Sequence, residues 1–205
     1  KALLRLSPGG ILSVSQWMEL PPRSGMKLLA MAVETLKRQK LDPSQSLMMI
    51  RSWQTVTLLV KKGPFEPAAL DRARRFCGSR LFDPCWLPGI RPEETNRFNR
   101  LDRDPFHDAA LRLFAGEGPA LYREYPFDIT PATDGRPFFS HSFKMGHIGR
   151  MLGPVGRDIL PFMDWGYLLA WACFILLAAA SLVLILLPLC RSPGVPARES
   201  LPVFL

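Results

Sequence analysis

The residues from which metal and redox sites are built are scarce in this chain. Among 205 residues there are four cysteines (Cys77, Cys85, Cys173, Cys190) and three histidines (His107, His141, His147). They form no CxxC and no HxxxH, so no zinc site is readable from their spacing and no metal is expected. No GxGxxG turn is present, and no strand ends in paired aspartates. The stretch GHIGRMLGPVG holds Gly146, Gly149, Gly153 and Gly156, but it lacks the Gly-Lys-Ser/Thr ending of a phosphate loop and is interrupted by Pro154. It reads as an interfacial connector. Charge is missing altogether from residues 165–190. About 20 apolar residues cross a hydrocarbon core of ~30 Å, so this run is expected to span a membrane, with Trp165, Tyr167 and Trp171 at the interface. It is too long and too late in the chain for a signal peptide.

The formal charge is +8, of which the first 164 residues carry +7. Lys37-Arg38, Lys61-Lys62 and Arg72/Arg74/Arg75 are short, scattered clusters. A nucleic-acid surface would interleave such cations with aromatics along one patch, so no nucleic-acid partner is expected. A solvated surface beside anionic lipid accounts for the charge better. Arg150 and Arg157 precede the span while Arg191 and Arg198 follow it, a balance that leaves orientation open. Cys190, just past the span, is a palmitoylation candidate.

Along the chain, Pro8-Gly9-Gly10 leads into a short strand at Ile11–Trp17. Pro21-Pro22 opens a helix to about residue 40, with Met26, Leu29, Val33 and Leu36 on one face and Arg23, Lys27, Glu34 and Lys37 largely off it. Residues 47–53 and 55–62 read as strands joined almost without a loop. In the second, Val56, Leu58 and Val60 alternate with their neighbours. A second helix is expected from Glu66-Pro67 to about residue 79, a strand near 82–87, and a third helix over 105–115 with Phe106, Ala110 and Leu113 inward. YPFDITPATDGRPFFSHSF fits neither period.

The order LRLSPGGILSVSQW, PPRSGMKLLAMAVETLKRQ, MMIRSWQTVTLLVKKGPF resembles the last third of a class I S-adenosylmethionine-dependent transferase domain. More narrowly, it is similar to the spermidine-synthase-like proteins of bacterial membranes. PFDITPATDGRPFF resembles their D-x-x-P-x-T-D-D-R-P-F-F pattern, with Gly135 where a second Asp is expected. The resemblance implies an α/β chain carrying strands five to seven of a doubly wound, Rossmann-like methyltransferase sheet, followed by an irregular α-rich extension and a transmembrane helix. Its parts would be residues 1–65 (transferase domain), 66–143 (extension), 144–164 (connector), 165–190 (span) and 191–205 (juxtamembrane tail). It further implies a donor, S-adenosylmethionine or decarboxylated S-adenosylmethionine, bound by sequence upstream. The chain alone would then be inactive and, with half a sheet exposed, prone to aggregate. The partners implied are the lipid bilayer and a small-molecule amine (polyamine-like) or other acceptor, and homodimerisation is left open. The setting would be the bacterial inner membrane with the soluble part facing the cytoplasm.

Ligands of open α/β sheets bind beyond the carboxyl ends of the strands. Candidate substrate-binding residues there are Gln16, which can donate and accept, and Trp17 and Trp53, which offer flat walls. The alternative is that both tryptophans only fill space. Asp134 and Arg136 in the TDGRPFF stretch are the second group: Asp134 for a cationic amine, Arg136 for a carboxylate. Alternatively that stretch is a structural turn anchored by Phe138 and Phe139. The same resemblance admits a non-catalytic transferase-fold platform attached to a transporter or scaffold.

Overall fold

The computed structural model describes residues 2–144 and 165–191. It divides into two compact units, residues 1–162 and 163–205. The connector at 145–164 and the tail at 192–205 lie outside the described residues.

The first unit is mixed α/β. Strand β1 (Ile11–Trp17) is followed by helix α1 (Ser24–Arg38), one turn α2 (Pro43–Ser46), strands β2 (Leu47–Arg51) and β3 (Thr55–Lys61), and helix α3 (Pro67–Arg80). Strand β4 (Asp83–Trp86) and helices α4 (Pro105–Phe114) and α5 (Gly118–Glu124) complete it. The sheet order is β1-β3-β2-β4, and every neighbouring pair is antiparallel. Because β3 is antiparallel to both β1 and β2, those two strands run in the same direction and are joined through α1. Residues 66–143 contribute β4 to this sheet and α4 to its face, so the sheet continues past residue 65.

The two faces follow from the alternation. Val56, Leu58 and Val60 of β3 meet Leu47 and Met49 of β2 under α1 and α4, where Met26, Leu29, Ala30, Val33, Leu36, Phe106, Ala110 and Leu113 are buried. Each such side chain contributes about 1.5–3 kcal/mol of burial, so this face dominates the core. The opposite face holds a smaller cluster of Met48, Phe65 and Leu87 under α3. The expected inward faces of α1, α4 and β3 are all found. Helix α5, with Leu121 buried, has no counterpart in the sequence reading. Gly25 sets the closeness of α1: a Cβ there would stand 2.9 Å from Val56 Cγ1 and 3.0 Å from Phe106 Cε1.

Strand β2 ends in a buried cation. Arg51 is 1 % exposed, 3.8 Å from the Asp83 carboxylate, and donates to Asn96 Oδ1 at 2.7 Å. Asp83 accepts the backbone N–H groups of Arg97, Phe98 and Asn99 at 2.6–2.8 Å. Asn96 takes a left-handed φ of 50° and closes the loop on Leu101 through both ends of its amide. Burial raises the Asp83 carboxyl, but the N–H groups of Phe98, Asn99 and Arg97 outweigh it and hold it below the usual carboxylate range.

The second unit, taken by itself, is helix α6 (Trp165–Arg191), 27 residues and about 40 Å long. Its segment Leu169–Pro188 has a mean hydropathy of 2.7 and none of it is buried, so it is long and apolar enough to cross a membrane.

Asp83→Ala should cost about 3–5 kcal/mol of stability, because it strands a buried guanidinium. Below about pH 4 the unfolded chain binds more protons at Asp83 than the folded one does. Stability linked to this group is therefore complete above that pH and lost as pH falls through the depressed folded value. Amide exchange at residues 97–99, measured from pH 6 down to about 3, should rise first there. Equal loosening of the whole unit would contradict the assignment. Gly25→Ala should lower stability by about 1–3 kcal/mol through overpacking, read as a shift in the thermal midpoint.

Candidate functional site

The connection after β1 is shaped by Glu19. Its carboxylate accepts the N–H groups of Arg23 (3.2 Å) and Ser24 (2.8 Å) and the Ser24 hydroxyl (2.8 Å), tying the β1–α1 connection to the first turn of α1. Since α1 follows β1, its N-terminal turn stands at the carboxyl end of β1. The irregular stretch from Tyr125 to Ser142 is fastened onto this corner at several points. Tyr125 Oη donates to the Pro22 carbonyl, the Arg23 guanidinium lies 5.2 Å from the Phe127 ring centroid, and Lys27 Nζ donates to the His141 carbonyl at 2.6 Å. Asp128 N–H donates to Ser142 O at 2.8 Å, closing the loop on itself. Phe127 and Ile129 are the buried anchors, at 2 % and 1 % exposure. Phe138, expected to anchor the loop if it were only a structural turn, is 78 % exposed.

Beneath this loop lies a cavity of about 370 Å³ whose lining includes Lys27, Asp128, Thr130, Arg136, Phe138 and His141. Lys27 is 3 % exposed although it lies off the apolar stripe of α1. Burial lowers its ammonium pKa, and Asp128 works in the opposite sense. Burial likewise raises the Asp128 carboxyl, but hydrogen bonds from Thr130 and the charges of Lys27 and Lys144 outweigh it and leave it below the usual range. Lys144 also donates to the Tyr122 and Tyr125 carbonyls. The cavity thus offers both signs at short range: Asp128 for an ammonium, Lys27 and Arg136 for an anionic group. A larger cleft of about 430 Å³ between β2, β3 and α3 is lined by Ile50, Leu59, Phe76 and Phe82, with Arg51 and Arg72 at its edge. It gathers no opposed charges.

The sequence candidates fall out unevenly. Arg136 lines the cavity, with its side chain exposed. Asp134 is exposed in a two-residue turn closed by reciprocal hydrogen bonds between Thr133 and Arg136, and it is not among the lining residues. Gln16 stands opposite Val56 on the α1 face of the sheet. Trp17 stands opposite Thr55 on the other face and is 72 % exposed. Neighbours in one strand, these two do not share a wall. Trp53 is 60 % exposed in the β2–β3 turn, tied to β1 by the Met18 N–H to Gln54 O bond of 2.7 Å. Lys27 and Asp128 are the residues that sequence reasoning missed. The one local signal was Asp128-Ile129-Thr130, in which the carboxylate accepts the Thr130 N–H at 3.0 Å, an Asx turn. Among the described residues no group of three His, Cys, Asp or Glu is placed to hold a metal.

No protein-family model, curated protein or solved structure matches this chain.

Gly135 has a φ outside the left-handed region, and a Cβ there meets nothing within 4 Å. Gly135→Asp is therefore expected to shift stability by less than about 0.5 kcal/mol, as an unencumbered surface change does. Lys27→Met should keep the α1 fold while freeing the loop. Hydrogen exchange at Asp128 should speed up, with little change at Leu29 and Val33. Unchanged protection of Asp128 would show that Lys27 does not hold the loop.

Proposed function

We propose that this chain is part of a membrane-attached transferase of the spermidine-synthase-like kind. It would use S-adenosylmethionine or its decarboxylated form as donor, and this segment would supply the acceptor side of the site. The observation that carries the reading is the seating of the TDGRPFF loop. The flanking residues Tyr125, Phe127 and His141 fasten it to the N-terminal end of α1, at the carboxyl end of β1, beside a cavity lined by Asp128, Lys27 and Arg136. A pocket at that end of parallel strands is where open α/β sheets take ligands. Two parallel strands joined through a helix, with β3 inserted between them, also suit the end of a doubly wound sheet. The outer edge of β1 pairs with nothing among the described residues and is where the remaining strands of such a sheet would add.

In this reading Asp128 holds an ammonium of the acceptor through a charge-assisted hydrogen bond, while Lys27 and Arg136 are left for an anionic group. A neutral amine of the same acceptor directs its lone pair at the carbon attached to the sulfonium. The carbon–sulfur bond breaks as the carbon–nitrogen bond forms, a neutral thioether leaves, and the proton passes to solvent. Such a displacement draws on positioning and carboxylate electrostatics, and no covalent enzyme intermediate is needed. The membrane-spanning helix is the anchor. The soluble unit faces the cytoplasm, where the donor is made.

Calorimetric titration of both donors into the full-length protein in detergent tests this. Saturable binding of one donor is expected, and which one binds separates methyl from aminopropyl transfer. Asp128→Asn should weaken the binding of a diamine acceptor about ten-fold or more, the loss of one charged hydrogen bond, and leave donor affinity alone. If folded protein binds neither donor, the transferase reading fails and a non-catalytic platform takes its place.

A further inference from the structure

Helix α3 carries a stripe that the proposed chemistry does not use. Arg72, Arg75, Phe76 and Arg80 fall at i, i+3, i+4 and i+8, all exposed, with Phe76 at 48 %. Leu81, which ends the helix in a left-handed conformation, is 60 % exposed. The acids that would neutralise this stripe are committed elsewhere. Asp71 pairs with Arg74, Glu94 with Arg74 and Arg91, and Glu66 is bonded to Lys61 while lying within the field of Arg72. Arg75 and Arg80 form no salt bridge among the described residues. The register Arg51↔Asp83 brings the start of β4 to the end of β2, so the C-terminal end of α3 and the exposed Trp53 of the β2–β3 turn lie at one end of the sheet.

We propose that this face, Arg72, Arg75, Phe76, Arg80, Leu81 and Trp53, docks the first unit on the surface of an anionic lipid bilayer. Guanidinium groups bind phosphate bidentately, and aromatic rings settle at the level of the headgroups. An exposed row of arginines interleaved with Phe, Leu and Trp therefore has the chemistry of an interfacial helix. Juxtamembrane cations are each attracted to an anionic leaflet within a Debye length of it. The same chain carries a helix long and apolar enough to span a bilayer, which favours lipid over other partners. The stripe is one helix long, and the cleft that Arg72 and Phe76 share with β2 and β3 is mostly apolar, which fits a planar array of headgroups better than a nucleic acid.

The test uses the full chain, one copy per nanodisc, in discs that all contain a headgroup-nitroxide lipid. The signal of Trp53 is taken as the difference between the chain and its Trp53→Phe variant. Introducing about 30 mol% phosphatidylglycerol should quench that signal about two-fold, and ~0.5 M salt should restore it, since exposed charges are then screened within a few ångström. Arg75→Glu/Arg80→Glu should also restore it, with an unchanged far-UV spectrum, because neither arginine holds an ion pair among the described residues. Quenching that is equal in neutral and anionic discs would mean that the tether alone brings Trp53 near lipid, and would overturn the proposal. So would quenching that survives charge reversal, or that appears only with two chains per disc. Donor binding is indifferent to all of these outcomes, so this inference and the transferase reading fail separately.

Discussion

A guanidinium buried at the end of a central strand constrains much of the first unit. Transferring such a charge out of water costs several kcal/mol even after relaxation, and pairing and hydrogen bonds offset it here in part, since Arg51 Nε finds no partner among the described residues. Arg51 meets Asp83 on the neighbouring strand and Asn96 on the loop that follows. Asp83 is in turn satisfied by three consecutive backbone N–H groups. The short β4, the left-handed Asn96 and the tight 96–101 loop are therefore parts of one electrostatic solution. Next to it, Cys85 is fully buried and burial drives its thiol well above the usual value, so it acts as a small apolar side chain.

Lys27 poses the same problem with a different outcome. It is nearly as buried as Arg51, yet its ammonium borders a cavity, and the groups around it leave donors to spare. One N–H is used by the His141 carbonyl, which fixes the loop, and Asp128 balances the charge through space. Arg51, enclosed by β4 and the 96–101 loop, is a structural tie even though its Nε finds no hydrogen-bond partner among the described residues. Lys27 differs in bordering a hollow. Lys27 and Asp128 therefore line a cavity, whereas Asp134 stands in an exposed turn outside its lining.

What the sequence disclosed was local. The stripe Met26, Leu29, Val33, Leu36, the alternation in β3, the near-contiguous β2–β3 pair and the uncharged run of α6 are all periodicities within one element, and each reappears in the structure. What it concealed depended on distant partners. Lys27 lies off the apolar stripe and reads as solvated; it is covered only because a loop about 100 residues later docks on it. Gln16 and Trp17 look like one wall when written side by side, but the strand pleat sends them to opposite faces. The pairing of β4 with β2 sets Arg51 opposite Asp83, a contact for which no sequence pattern exists. The Rossmann-like ordering of strands five to seven stays with the proposal, since three antiparallel pairings are compatible with other α/β sheets.

The position of β3 explains why the loops after β1 and β2 gather at one end of this unit. Had β1, β2 and β3 followed one another as a simple meander, successive strands would finish at opposite ends, and the loops after β1 and β2 would be a strand length apart. Inserting β3 between two parallel strands puts both carboxyl ends on the same side. The N-terminal turn of α1 and the Trp53 turn then lie at that end, bridged by the bond from Met18 to Gln54. The buried faces of α1 and β3 supply the packing energy along the rest of the sheet, so this end is left to carry a buried lysine, an acidic turn and exposed aromatics that no well-packed core would tolerate.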